Sequence, residues 1–190
     1  SWTGSSDTET LLAMFEKYGV EKTIEQVEGM FVIALWDESK NELNLIRDRF
    51  GEKPLYYLYE NDHFIFASEI KSLKVTPWMK NEVDLNSLAL YFQHSFVPGK
   101  NAIYQNVKKL MPGEILKIKV KNTTISQKKI QYWSSEKNIN LSKERVFLGD
   151  LNEASLEVEK SLRSSVKKQL VADVPVGIFL SGGIDSSLIS

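Results

Sequence analysis

The spacing of apolar positions along this chain changes several times, and each change marks an element. Between Ser6 and Gly19, Leu11, Leu12 and Phe15 fall on one helical face. Ser6-Asp7-Thr8-Glu9 precedes them with the S-x-x-E spacing of a capping box, Ser6 as N-cap and Glu9 reaching back, and Gly19 supplies the stop. Asp7, in the first turn, also suits the positive end of the helix dipole. A second short helical pattern runs from Thr23 to Val27.

From Gly29 the period shortens. Met30 to Trp36 reads as a buried strand, Asp37 to Asn41 as a polar turn, and Leu43, Leu45 and Ile46 as a second strand. A charged loop, residues 47–54, leads to strands over Leu55–Tyr59 and His63–Ala67, with Asn61-Asp62 turning between them. Four strands joined by tight turns predict an antiparallel meander whose apolar face needs another layer. A short helix follows at Ile70–Lys74, and Asp84-Leu85-Asn86-Ser87 caps another that carries Leu88, Leu90 and Tyr91. Met111-Pro112-Gly113-Glu114 turns into a strand alternating at Leu116, Ile118 and Val120, with Thr123 to Trp133 as its hairpin partner.

The pattern lapses into polar residues from Ser134 to Ser142, which predicts a domain over 1–134, a linker over 135–150 and a second domain from 151. Glu153 to Val171 is a helix with Leu162, Val166 and Leu170 at four-residue steps, its acids preceding its bases as the dipole favours. Asp173-Val174-Pro175 stops it. Val176-Gly177-Ile178-Phe179-Leu180 then has the unbroken apolar character of a strand covered on both faces of a parallel sheet. The fold class expected is α+β followed by α/β.

After that run the chemistry changes abruptly. Gly182 and Gly183 let successive N–H groups turn toward an anion, and Ser181, Ser186 and Ser187 add hydroxyl donors at a helix start, a combination suited to phosphate oxygens. Asp185 would repel a bare phosphate, so its presence points to Mg²⁺ lying between them. The Walker spacing and its lysine are absent. Helix, strand and phosphate loop in that order open a doubly wound domain, with ligand at the carboxyl end of the strand.

Composition narrows the setting. The 190 residues are 42% hydrophobic and 26% charged with a formal net charge of -1, which argues for neither disorder nor a nucleic-acid-binding field. There is no cysteine, so no disulfide framework and no thiolate metal site, and no apolar run reaches membrane-span length. A reducing cytosol fits, with no nucleic-acid or membrane partner. The sequence starts without methionine and stops where the last helix has barely begun, which predicts an interior piece of a longer polypeptide.

Residues 29–37 (Gly-Met-Phe-Val-Ile-Ala-Leu-Trp-Asp), 47–57 (Arg-Asp-Arg-Phe-Gly-Glu-Lys-Pro-Leu-Tyr-Tyr), 66–73 (Phe-Ala-Ser-Glu-Ile-Lys-Ser-Leu) and 173–187 together resemble the glutamine-hydrolysing asparagine synthetase family. The loop in the last of these is similar to that of enzymes splitting ATP into AMP and pyrophosphate. The resemblance implies an αββα glutaminase domain that frees ammonia with an N-terminal cysteine. A synthetase domain follows, where aspartate, MgATP and ammonia give asparagine through β-aspartyl-AMP. It implies ATP and Mg²⁺ as cofactors, with glutamine, aspartate and ATP as substrates; a homodimer stays open. Position by position, Asp7 matches the acid that binds the α-ammonium of glutamine. Ser181, Gly182, Gly183, Asp185, Ser186 and Ser187 match the pyrophosphate loop, Asp185 as the metal ligand, and the backbone of Phe179 and Leu180 would lie beside adenosine.

The cysteine nucleophile and the later synthetase residues lie outside this sequence, so the piece alone is expected to be inactive. His63 and His94 lack partners at metal-ligand or triad spacing, and Arg47-Asp48 reads as a loop stabiliser. Two rivals share the fold: a related acyl-adenylate ligase that closes rings or amidates sugars or peptides, and a catalytically dead scaffold.

Overall fold

The computed structural model describes Gly4, residues 6–121 and residues 124–190; Thr123 of the expected hairpin partner lies outside the described residues. The chain divides into two compact units, Ser1–Lys137 and Asn138–Ser190.

In the first unit, α1 (Asp7–Tyr18) begins at Ser6, whose hydroxyl accepts from the Thr8 N–H, and ends at Gly19 with φ at 80°. Glu9 does reach back, but its carboxylate takes the Gly4 N–H at 2.7 Å, two residues beyond the expected partner. α2 (Val20–Ile24) follows at once and buries Thr23 and Ile24, slightly upstream of the expected pattern.

Two hairpins come next, β1 (Val32–Asp37) with β2 (Glu42–Arg47) and β3 (Tyr56–Glu60) with β4 (His63–Ala67). After α3 (Ile70–Lys74) and α4 (Leu85–His94) come β5 (Lys108–Lys109), β6 (Glu114–Lys121) and β7 (Thr124–Gln131). The expected single meander is not what forms. β2 pairs onward with β6 and β3 with β5, giving one sheet ordered β1-β2-β6-β7 and another ordered β4-β3-β5, all antiparallel.

The reason lies in adjacent buried residues pointing to opposite faces. Leu45, Leu116 and Ile118 pack against Tyr57, Leu55 and Leu110 between the two sheets. Their neighbours Ile46 and Ile115 point the other way, onto Ile24 with Phe15 and Val20 of the α1–α2 layer. On the far side Leu58 meets Leu73 of α3 with Met79, Ala102 and Val107. Strands apolar on both faces demand cover on both, and the result is helix, sheet, sheet, helix. Each of these fully buried aliphatic side chains contributes roughly 1.5–3 kcal/mol. β1, expected to be buried, is an edge strand with Ala34 and Trp36 exposed.

The stretch expected as linker, 135–150, is largely helical: α5 spans Ser135–Lys143 and buries nothing. In the second unit α6 (Leu151–Gln169) starts at a complete capping box. Asp150 accepts the Glu153 N–H at 2.9 Å while Glu153 accepts the Asp150 N–H at 3.0 Å. The apolar side of α6 borders a groove of about 1070 Å³ that Ile178, Leu188 and Ile189 also line. Residues 176–180, expected as a buried strand, join no ladder among the described residues, and Phe179 and Leu180 are 98% and 66% exposed. A strand exists only through its neighbours, and this apolar run has none here to pair with. α7 (Ile184–Ile189) completes the unit.

Candidate functional site

The loop that joins the extended run to α7 is shaped by its two glycines. Gly182 sits at φ 79°, where a side chain would be strained, and nothing lies within 4 Å of where its Cβ would be. Gly183 is the N-cap of α7 and offers no side-chain acceptor, so the first N–H groups of the helix are not taken up by a cap. Ser181 Oγ and Ser186 Oγ stand 3.0 Å apart, and Ser186 Oγ also donates to the Gly183 carbonyl at 3.1 Å. An uncapped helix start, two touching hydroxyls and an open glycine turn thus lie together in sequence and space, groups of the kind that bind phosphate.

Ser181, Gly182, Gly183 and Ser186 are thus brought together, with Asp185 in the first turn of α7 and Ser187 next along it, its N–H bonded to the Gly183 carbonyl at 3.1 Å. Among the described residues no group of three or more His, Cys, Asp or Glu gathers to hold a metal. Asp185 fits a Mg²⁺ ion only as one ligand of a set completed by phosphate oxygens and water, the usual way this ion is held. Phe179 and Leu180 precede the loop as exposed residues outside any helix or strand rather than as core.

Asp7 belongs to the first unit, exposed in the opening turn of α1, where it accepts from Ser6 Oγ at 3.3 Å. Its capping geometry leaves the carboxylate in solvent.

The best-built polar feature of the first unit is the loop after β2. Asp48 is fully buried, and its carboxylate accepts the N–H groups of Phe50 at 3.1 Å, Glu52 at 2.9 Å and Lys53 at 3.0 Å. Arg47 spreads its guanidinium over three carbonyls, those of Lys53 at 2.7 Å, Gly51 at 2.6 Å and Leu110 at 2.6 Å. Neither side chain is free for proton transfer, and burial lowers the Arg47 pKa against the opposing pull of Asp48. Tyr132 closes the arrangement by donating to the Arg47 carbonyl at 2.8 Å; burial first and the Asp48 charge second push its phenol up to about 12. Sequence reasoning finds Arg47 and Asp48 from their charged run but passes over Tyr132. An isolated tyrosine after a strand carries no local signal for a partner 85 residues away. His63 stacks on Trp78 at 4.2 Å between ring centroids.

Comparison with known proteins adds a second line of observation. Residues 1–133 match the family model described as glutamine amidotransferase domain, and residues 157–190 match the one described as asparagine synthase. An asparagine synthetase (glutamine-hydrolyzing) of Bacillus subtilis is 34% identical over 98% of this chain, which covers 28% of that protein. A second one from the same bacterium is 36% identical over 97% of the chain and 27% of its own length. A protein named amidase chyE from Penicillium rubens is 34% identical over 98% of the chain and 26% of its own length. The chain thus spans little more than a quarter of these relatives.

Proposed function

The chain belongs to the glutamine amidotransferase domain family, and on that premise we propose that it is part of a glutamine-dependent amide ligase that makes asparagine. The observation that carries this reading is the order of the two matches: an amidotransferase region and then an asparagine synthase region that contains the phosphate loop.

In this reading residues 1–134 are the C-terminal part of a glutaminase domain, 135–150 connect it onward, and 151–190 open an ATP-pyrophosphatase domain. Asp7 binds the α-ammonium of glutamine, a role its solvent-facing carboxylate permits. Ser181, Gly182, Gly183, Ser186 and Ser187 hold the pyrophosphate of ATP through N–H and hydroxyl groups, Asp185 would hold Mg²⁺, and Phe179 and Leu180 border adenosine. When bound, Mg²⁺ supplies charge neutralisation for the leaving pyrophosphate. An aspartate side-chain carboxylate attacks the α-phosphorus as the bond to pyrophosphate breaks. Ammonia released from glutamine then displaces AMP from the resulting β-aspartyl-adenylate. With no cysteine in residues 1–190 to serve as nucleophile, this piece has no complete active site. In the same reading the whole protein acts in the cytoplasm, and a homodimer stays open.

A second reading keeps the adenylating loop and changes the acceptor, and the match to a fungal protein named an amidase favours it. One experiment separates the two. The intact parent is assayed for AMP and pyrophosphate release with aspartate plus either glutamine or ammonia, beside Asp185→Ala. Turnover with both nitrogen donors that is lost in the variant supports asparagine synthesis. Nucleotide binding without aspartate-dependent pyrophosphate release overturns it and moves the search to another carboxyl substrate.

A further inference from the structure

Two adjacent lysines on β5 have opposite surroundings. Lys108 pairs with Tyr57 and Lys109 with Tyr56 across the ladder to β3, so their side chains leave the strand on opposite faces. Lys108 Nζ donates to Asn101 Oδ1 at 3.0 Å, and its charge lies close enough to the Asp84 carboxylate to interact with it. Lys109 is on the side of Tyr56, which packs against the cluster of Leu58, Leu73 and Val107. It is half-buried, and its Nζ donates to the Val97 carbonyl.

No carboxylate compensates this ammonium. Among the described residues Lys40, Lys71, Lys80, Lys117 and Lys160 each pair with an aspartate or glutamate, and Lys109 does not. The charge that acts on it is another cation: the Arg47 guanidinium, held on the carbonyl of Leu110, the next residue along the chain, at 2.6 Å. Burial first and the Arg47 charge second lower the Lys109 pKa, so it gives up its proton more readily than a solvated lysine does.

A half-buried amine in such a setting is a nucleophile. Its neutral form keeps an N–H for the Val97 carbonyl, which orients the nitrogen and leaves the lone pair available. Arg47 stays cationic beside it and draws in an anionic reagent. Acylation also removes the repulsion between the two cations, because the amide is uncharged yet retains one N–H for the same carbonyl.

We propose that Lys109 is an acylation site that takes the acyl group of a small acyl phosphate. The Nζ lone pair attacks the carbonyl carbon, the C–O bond to phosphate breaks with its electron pair leaving on the phosphate, and the surplus proton on nitrogen passes to that phosphate. The products are the Nε-amide and inorganic phosphate. This stands on the geometry of the first unit and does not rest on the asparagine-forming reaction proposed above.

The test uses the intact parent with limiting acetyl phosphate. Acetylation at each lysine is read by mass spectrometry after the remaining amines are capped with heavy acetyl groups under denaturing conditions. Lys109 should react at least about threefold faster than the exposed lysines Lys22 and Lys167. A rate equal to theirs or lower would overturn the proposal. The same comparison with an uncharged acetyl donor, the N-hydroxysuccinimide ester of acetic acid, tests the part played by Arg47. The advantage of Lys109 should shrink, because a neutral donor gains nothing from that charge, and an advantage as large as with acetyl phosphate would overturn an acyl phosphate as the preferred donor. Both results come from lysine labels, so a failure of aspartate-dependent pyrophosphate release leaves them unchanged.

Discussion

Replacing Asp48 should cost more stability than any other single polar substitution in the first unit. Its carboxylate holds three backbone N–H groups, and hydrogen bonds to a charged acceptor contribute roughly 1.5–3 kcal/mol each. The full sum is not reached, because Phe50, Glu52 and Lys53 are exposed residues whose freed N–H groups can take up water. We therefore expect Asp48→Ala to lose about 4 kcal/mol, a large share of the roughly 5–15 kcal/mol of an ordinary domain. Asp48→Asn keeps an oxygen for Phe50 and Glu52 but turns an NH₂ group onto the Lys53 N–H, for a loss of about 2 kcal/mol. Urea unfolding followed by tryptophan fluorescence reads both, since Trp133 lies 5.0 Å from the Phe50 ring of this loop. Equal losses for the two variants, or losses under about 0.5 kcal/mol, would refute the assignment of the loop's stability to this carboxylate.

Two further outcomes follow from the same region. Gly113→Ala places a Cβ 2.2 Å from the Trp133 carbonyl oxygen at φ 68°, whereas Gly99→Ala meets nothing within 4 Å at φ 70°. The second should cost about 1 kcal/mol for the backbone conformation alone and the first at least about 3 kcal/mol, so equal urea midpoints would sink the steric argument. Tyr132→Phe removes the bond to the Arg47 carbonyl, for about 1 kcal/mol at neutral pH. Because the folded phenol titrates at about 12 against an ordinary 10.0, its contribution is fully present below pH 10 and is lost as pH rises toward 12. The variant should therefore lose less stability than the parent sequence over that alkaline range, and parallel pH profiles of the urea midpoint would contradict the buried phenol.

Local rules carried much of this protein directly. The Ser6 cap, the Gly19 stop, the strand at His63–Ala67 and the helix at Ile70–Lys74 each rest on residues a few positions apart, and the structure forms them as read. The glycine turn, paired hydroxyls and helix start at Ser181–Ser187 were equally legible, because each is local chemistry. The two hairpins were legible as hairpins but not as members of different sheets. That assignment depends on β2 meeting β6 and β3 meeting β5, pairings across about 50 to 75 residues for which adjacent turns give no cue.

Sequence by itself thus determined most elements of the first unit, the Ser6 cap and the glycine turn with its paired hydroxyls, since hydrophobic period and turn chemistry act over a few residues. Tertiary structure alone decided three things. It split the strands between two layers, gave Tyr132 its buried carbonyl partner, and left the apolar run 176–180 exposed and without a ladder among the described residues. Each of these depends on which distant backbone or side chain arrives alongside, and an apolar stretch becomes a buried strand only where such a neighbour satisfies its N–H and C=O groups.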